Sequence, residues 1–158
     1  MFEDSGSLAV LPLLNLTRYE AASDVVMGAL VVELLDLKVF EVVDPGVVEV
    51  VVVEKRLRLT DRLPLETIRD LGDRLQVEYL LVGSVSEFSV VRKGKTELPN
   101  VSISLRLIRC GDGRIVWAAT HSKRGDDAES VFGIGRISTT EQLVAVMVED
   151  MVETMKHR

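Results

Sequence analysis

The residues that could perform catalysis are few, and they are scattered along the chain. His121 could act as a general base for a serine nucleophile at Ser84 or Ser122, with an aspartate to orient it. The sequence around Ser84, however, is Gly83-Ser84-Val85-Ser86, which lacks the Gly-x-Ser-x-Gly turn of the α/β-hydrolases. We therefore interpret His121 as an ordinary histidine near the end of a strand.

Three other candidates also have simpler explanations. Cys110 falls at a predicted turn without an identifiable cationic neighbour to activate its thiol. Gly133-Ile134-Gly135-Arg136 lacks the full glycine spacing of a phosphate loop and the strand that should precede it. Glu149, Asp150 and Glu153 could work as an acid and base pair, but a solvated acidic helix face explains them better. We predict no catalytic residue and no cofactor.

Composition excludes several further classes of function. The chain has 158 residues, 47% of them hydrophobic, which suits one domain over 1–158 with a substantial core. Its net charge of −6 argues against nucleic-acid binding, which needs a broad basic face. One cysteine and two distant histidines offer no metal site unless carboxylates contribute. We expect no membrane-spanning helix and no signal peptide, and residues 1–7 should be disordered or derived from cloning.

The first third of the chain predicts a β-α-β unit. Leu8–Leu14 is almost wholly apolar and indicates a buried strand. Ala21–Leu37 predicts a helix whose buried row is Ala22, Val25, Val26, Ala29, Val32 and Leu35. Gly28 lies inside it, where a glycine suggests close packing against a neighbour. Val39–Val43 reads as a second strand. The valine-rich stretch Val47–Val53 is ambiguous, because its propensity indicates a strand while the proline before it suits a helix start.

The rest of the chain predicts a helix, a meander of strands and a final helix. Pro64–Gln76 has one apolar face at helical spacing. Tyr79–Phe88, Val101–Leu107 and Arg114–Ala119 should form successive strands, the last two joined by a glycine-containing turn. Ser138 begins a Ser-x-x-Glu capping box for the last helix, whose methionines should lie in the core. The fold class is therefore α/β, with a mixed sheet of about five strands, a parallel start, an antiparallel end and helices on both faces.

Several stretches resemble a group of bacterial envelope proteins. Leu8–Pro12, followed by Asn15 and Leu16, is similar to the group's opening Ala-Val-Leu-Pro-Phe-x-Asn-Leu. Further resemblances follow in the same order at Phe40–Asp44, Val77–Val85, Leu105–Ile108 and Gly113–Ala119. The group comprises CsgG-like curli-secretion lipoproteins, LpoB-like activators of penicillin-binding proteins and the amino-terminal domain of TolB. The order of the stretches indicates the fold group more specifically than the member.

The resemblance implies a three-layer fold similar to an anticodon-binding domain, with a helix over Val47–Val53 and no active site. It implies a periplasmic lipoprotein held to the outer membrane by an acylated cysteine that this chain does not contain. The secretion pores of the group carry two long inserted hairpins. Ser89–Asn100 and His121–Ile137 are charged and lack the alternation that a lipid-facing strand needs, so we predict no pore.

The resemblance also suggests where a partner would bind. Ser89–Asn100 and Lys123–Gly135 are long, polar and placed where the relatives insert functional hairpins. We predict that these loops contact an envelope protein whose identity the sequence does not reveal. The predicted contact residues are Arg92, Lys93, Lys95, Lys123, Arg124 and Phe132, together with Trp117 if it is exposed. Two alternatives remain open: a self-assembling ring or dimer, and a cytosolic small-molecule-binding or enzymatic domain.

Overall fold

Six strands form one mixed sheet with helices on both faces. The structure is a computed structural model that describes residues 6–59, 62–127 and 137–157. The strands are β1 (Gly6–Val10), β2 (Leu14–Asn15), β3 (Phe40–Val42), β4 (Tyr79–Lys93), β5 (Thr96–Arg109) and β6 (Ile115–Arg124). The helices are α1 (Ala22–Leu37), α2 (Pro45–Glu54), α3 (Leu65–Leu75) and α4 (Thr140–Glu153), and α4 ends in a 3₁₀ turn, Thr154–His157.

The sheet has the predicted parallel start and antiparallel end. Its order is β3-β1-β4-β5-β6, and β2 also pairs with β4. The pairs β1·β3, β1·β4 and β2·β4 are parallel, whereas β4·β5 and β5·β6 are antiparallel. Gly6 and Ser7, expected to be disordered, lie in β1 opposite Phe40 and Glu41.

The first predicted strand is interrupted at Pro12. Val10 lies opposite Leu81, but Leu14 lies opposite Ser84, so the chain holds one more residue than β4 between these two pairs. Proline has no N–H for the ladder and is found in sheets mainly at edges and bulges. The predicted single strand is therefore two short strands, β1 and β2, separated by a bulge.

Two hydrophobic clusters, one on each face of the sheet, confirm the three-layer arrangement. One joins α1 and α4 to the sheet through residues such as Leu34, Val148 and Leu105. The other joins α2 and α3 to the opposite face through residues such as Val51 and Leu71. Side chains of a strand alternate between the faces, which is why β4 and β5 contribute to both clusters.

Helix α1 buries only part of the row that its sequence predicted, including Ala22 and Val26. Val32 and Leu35, placed in the predicted buried row, are 56% and 55% exposed. Gly28 makes no close packing contact, because a Cβ built there would meet nothing within 4 Å. This helix is apolar almost all round, so spacing alone does not identify its buried face. The buried residues are Ala22, Val26, Leu30, Leu34 and Leu37.

The valine-rich stretch is helical, as the resemblance implied. Asp44 caps α2, its Oδ1 accepting a hydrogen bond from the Gly46 N–H at 2.7 Å, and Pro45 occupies the first turn. Val48 and Val51 are buried against the sheet. Three other valines face outward instead: Val47 is 51% exposed, Val50 55% and Val53 70%.

Helix α4 begins one residue later than its sequence suggested. Thr139 is the cap, because its Oγ1 accepts from the Gln142 N–H at 3.2 Å. The predicted cap at Ser138 is therefore wrong, although the Thr-x-x-Gln spacing satisfies the same rule. The methionines of the final helix and its 3₁₀ turn are in the core as predicted: Met147, Met151 and Met155 are at most 2% exposed.

Candidate docking surface

The segment Ser89–Asn100 is a β-hairpin and not the loop that the sequence predicted. Strands β4 and β5 stay paired from Tyr79 and Arg109 out to Lys93 and Thr96. The turn at the tip includes Gly94, whose φ of +63° suits glycine. The two strands therefore continue as a ribbon, and its tip is a structured surface.

The hairpin tip and the end of β6 bring the two predicted contact segments together. Arg92, Lys93 and Lys95 are exposed at the tip, while Lys123 and Arg124 end β6. Asp126 links the two groups. Its Oδ2 accepts from Lys93 Nζ at 2.8 Å, and its Oδ1 lies 3.4 Å from Arg124 Nε. We call these five basic residues with Asp126 the hairpin-tip surface.

Asp126 is the residue of this surface that sequence reasoning missed. Its side chain is only 13% exposed. The hydrogen bond from Lys93 and the charge of Arg124 lower the pKa of its carboxyl, against the opposing effect of burial. The carboxylate is thus ionised at neutral pH and ties the hairpin to β6. In the sequence, Asp126 was one of several loop charges, and nothing in its spacing distinguished it.

Two predicted contact residues do not lie on this surface. Trp117 is 2% exposed, and its Nε1 donates to Thr154 Oγ1 at 2.9 Å. It packs between the sheet and α4, so the exposure that a partner contact required of it is not met. Phe132 lies outside the described residues, as does the glycine-rich stretch Gly133-Ile134-Gly135-Arg136.

The proposed catalytic serines do not meet His121. The histidine faces α4, where its Nδ1 lies 3.4 Å from Asp150 Oδ2. Ser122 follows it in the strand and so points to the other face, where its Oγ lies 2.7 Å from Ser102 Oγ. Ser84 lines a cavity on that same opposite face. These residues therefore do not form a hydrolase triad.

Cys110 has the environment of an inert thiol. It is 6% exposed, and burial, aided by the charge of Asp73, raises its pKa to about 11. The reactive form of cysteine is the thiolate, which is scarce at neutral pH when the pKa is that high. The structure thus agrees with the interpretation of Cys110 as a structural residue.

The carboxylates of α4 are solvated, as the sequence suggested. Glu149, Asp150 and Glu153 are all exposed. They stand near Glu33 of α1, and burial, followed by the charges of Glu149, Asp36 and Glu153, raises the pKa of the Glu33 carboxyl. Partial burial of Glu33 and repulsion among neighbouring carboxylates explain this pattern without an acid and base pair.

The sheet face away from α1 and α4 is only partly covered by helices. A cavity of about 390 Å³ lies on it, lined by the hydroxyl residues Ser84, Ser104 and Thr120 and by apolar residues such as Leu59 and Leu63. Within the described residues, no cluster of three or more His, Cys, Asp or Glu could hold a metal ion. None of the described helices has the length and apolar character needed to span a membrane.

Solved structures share this fold at low sequence identity. PelC of Paraburkholderia phytofirmans, described as a dodecamer, aligns with a TM-score of 0.66 and 15% identity over 98% of this chain and 89% of its own. Lipoprotein GNA1162 of Neisseria meningitidis gives 0.65 and 19% over 97% and 99%. The carboxy-terminal domain of LpoB from Escherichia coli gives 0.53 and 15% over 75% and 82%. No curated protein matches the sequence.

The family model assigns the sequence more narrowly than these structures do. Of the three groups that the motifs resemble, the model that matches is described as "Peptidoglycan-synthase activator LpoB". The match covers residues 3–122, which include strands β1 to β5, most of β6, helices α1 to α3 and the tip residues Arg92, Lys93 and Lys95, but neither Lys123 nor Arg124. This chain belongs to the LpoB family of peptidoglycan-synthase activators.

Proposed function

We propose that this chain is a non-enzymatic interaction domain of a periplasmic lipoprotein, anchored in the outer membrane, that docks on a peptidoglycan synthase and activates it. The family match over residues 3–122 is the observation that carries this proposal. The convergence of the two predicted contact segments at one end of the sheet supports the place of docking.

The hairpin-tip surface suits recognition of an acidic patch. Its shape is set by β pairing and by Asp126, so little ordering remains to be done on binding. Arg92 and Lys95 are exposed cations, whereas Lys93 and Arg124 form ion pairs with Asp126. Charges at the rim of an interface mainly speed association and select the partner.

Binding alone does not activate a synthase. A bound protein shifts a synthase toward its active conformation only if it binds that conformation more tightly than the inactive one. A rigid hairpin fits this role, because it can favour one arrangement of the synthase without changing its own.

Reversing the exposed charges of the tip tests the docking site. We expect Arg92→Glu with Lys95→Glu to weaken binding to the purified synthase of the source bacterium by about tenfold, mainly through slower association. The rate of glycan polymerisation should lose its stimulation in parallel. Biolayer interferometry and a polymerisation assay measure the two effects.

A matched control places the same charge change elsewhere. Lys38 follows α1 and Arg58 follows α2, and both are exposed. Lys38→Glu with Arg58→Glu should leave binding and stimulation unchanged. Equal losses in the two double variants would show that net charge, and not the tip, governs docking. Full binding by the tip variant would remove the tip from the interface.

The anchor has its own test in the natural gene. A signal sequence that ends in a lipobox cysteine upstream of Met1 would support the lipoprotein proposal. A true start codon at Met1 would count against the outer-membrane location without affecting the docking experiment.

Self-assembly is a second candidate function with its own supporting observations. The similar PelC structure is described as a dodecamer. In this chain the outward valines of α2, Val47, Val50 and Val53, are at least 51% exposed. Apolar residues grouped on one exposed surface are typical of interfaces between subunits. The mass of the protein in solution decides whether this candidate holds.

A further inference from the structure

Strand β6 forms an open edge of the sheet. In the described ranges 6–59, 62–127 and 137–157 it pairs with β5 alone. It has ten residues, whereas β3 at the opposite edge has three. Edge strands carry unpaired N–H and C=O groups that can accept another strand, so most are short or protected by charges, prolines or bulges.

The backbone groups that face outward from β6 can be identified from one hydrogen bond. The Gly125 N–H donates to the Pro99 carbonyl at 2.9 Å, so these opposite residues form a hydrogen-bonded pair. Such pairs alternate with non-bonded pairs along an antiparallel ladder. It follows that residues 119, 121 and 123 point their backbone groups at β5, and residues 118, 120, 122 and 124 point theirs outward.

Arg124 confirms this assignment and shows how the edge ends. Its N–H is turned away from β5 and donates to Asp127 Oδ2 at 2.7 Å. At the other end, Ile108 pairs with Ile115 and Leu107 with Trp117, so Val116 is the extra residue of a bulge. The edge is therefore closed at both ends and open between them.

The open part runs from Ala118 to Ser122. Ala118, Thr120 and Ser122 are exposed. In the described part of the chain, their N–H groups donate no hydrogen bond to any residue outside β6. Their side chains are small and lie on the sheet face that α1 and α4 leave open. Ser104 Oγ and Thr120 Oγ1 lie 3.1 Å apart, so the Thr120 hydroxyl is hydrogen-bonded to β5 beside this edge. At these three positions an incoming strand would meet only small side chains.

Charge selects the kind of strand that this edge would accept. Residues 114–124 include Arg114, Lys123 and Arg124 and no aspartate or glutamate. Two copies of this segment would bring only positive charges to each other, so charge does not favour their pairing. A foreign segment with carboxylates near these residues would be attracted instead.

We propose that the edge of β6 at Ala118, Thr120 and Ser122 binds an extended acidic segment of the envelope partner as an added strand. This inference rests on the proposed function, since it assigns a second contact to the same docking event. The hairpin-tip surface, which includes Lys123 and Arg124, continues directly into this edge. One partner could therefore contact both.

Selection from a displayed library of random ten-residue peptides tests the proposal without a known partner. Peptides enriched on the wild-type chain should carry aspartate or glutamate near one end and β-branched residues in alternation. Bound peptide should slow amide hydrogen exchange at Ala118, Thr120 and Ser122, which should exchange rapidly in the free chain. Failure to enrich any peptide, or enrichment without acidic residues, would overturn the proposal.

Three variants separate backbone recognition from side-chain recognition. Thr120→Pro removes an outward N–H and should weaken binding of the enriched peptide by about tenfold, while the chain stays folded. Thr120→Val keeps the N–H and should bind within about twofold of wild type. Ala119→Pro removes an N–H that faces β5, so it should lower the melting temperature. Equal peptide binding by Thr120→Pro and wild type would refute strand addition, and the exchange measurement decides the matter if Thr120→Pro does not fold.

The synthase assay distinguishes failure of this inference from failure of the proposed function. If Thr120→Pro stimulates the synthase as strongly as the wild-type chain does, the edge contact is refuted and the proposed function is unaffected. If peptides bind the edge but the wild-type chain stimulates no synthase, the proposed function is refuted and the edge proposal stands.

Discussion

Gly72 allows α3 to approach the end of β5 more closely than a larger residue would. A Cβ built on Gly72 would lie 2.6 Å from the Cβ of Cys110 and 2.9 Å from its Sγ. Cys110 is buried and lies next to the backbone of the sheet, so it has little room to move. The inert thiol and the helix glycine therefore form one packing unit.

A pair of glycine substitutions should have opposite effects on stability. Gly72→Ala should cost about 1–3 kcal/mol in the free energy of unfolding, because the new methyl overpacks the site. Gly28→Ala should stabilise by about 0.5–1 kcal/mol, because it improves helix propensity where the added methyl meets nothing within 4 Å. Urea denaturation measures both values. A change in the same direction for both variants would contradict the packing account.

These two glycines also show what sequence reasoning could not reach at the level of single residues. Both stand inside helices, and helical spacing treats them alike. The sequence predicted close packing at Gly28, whereas the structure shows a close approach at Gly72. The difference depends on which helix face meets the sheet, and that is decided by contacts between residues far apart in the chain.

Helices α1 and α4 pack together with acidic residues on their shared outer side. Glu33 and Asp36 lie on α1, and Glu149 and Glu153 on α4. Burial first, and then these neighbouring charges, raise the pKa of Glu33 above its usual 4.5. A carboxyl with a raised pKa in the folded state destabilises the fold where it is ionised, and this effect disappears as the pH falls through that pKa.

Glu33→Gln should therefore stabilise the protein slightly at neutral pH. The gain should be about 0.5 kcal/mol or less, because solvent screens these partly exposed charges. It should shrink as the pH is lowered toward the ordinary glutamate pKa of 4.5. Melting temperatures between neutral and acidic pH measure the effect, with Glu20→Gln, an exposed glutamate outside both helices, as the control. A gain that persists at acidic pH would point to a packing effect.

At the level of elements, local signals left α2 ambiguous, and the resemblance decided it in favour of a helix. Asp44 and Pro45 mark the start of α2 even though the valines that follow favour a strand. The hairpin of β4 and β5 was missed, because its charged residues resemble a loop. Gly94 between two lysines was the available signal, since a glycine with positive φ commonly closes a hairpin.

For the whole molecule, the order of elements was predictable and the composition of the hairpin-tip surface was not. Strands, helices and their parallel and antiparallel pairing follow from patterns within each segment. The surface depends on contacts such as that between Lys93 and Asp126, which are 33 residues apart in the chain. The basic residues on it were identified as a charged set, but the Asp126 carboxylate that joins Lys93 and Arg124 had no local signature.

The assembly state is a property of the whole molecule that α2 can test. If the outward valines form a subunit interface, light scattering should give a mass that rises with concentration to a fixed multiple of the monomer. Val50→Glu should return the protein to a monomer, because a carboxylate cannot be buried there without a partner. Its melting temperature as a monomer should not fall, since Val50 is 55% exposed.

Ile115→Glu, at a position 54% exposed on β6, serves as the control and should keep the wild-type mass. A monomer at every concentration would end the ring candidate and leave synthase docking as the remaining function.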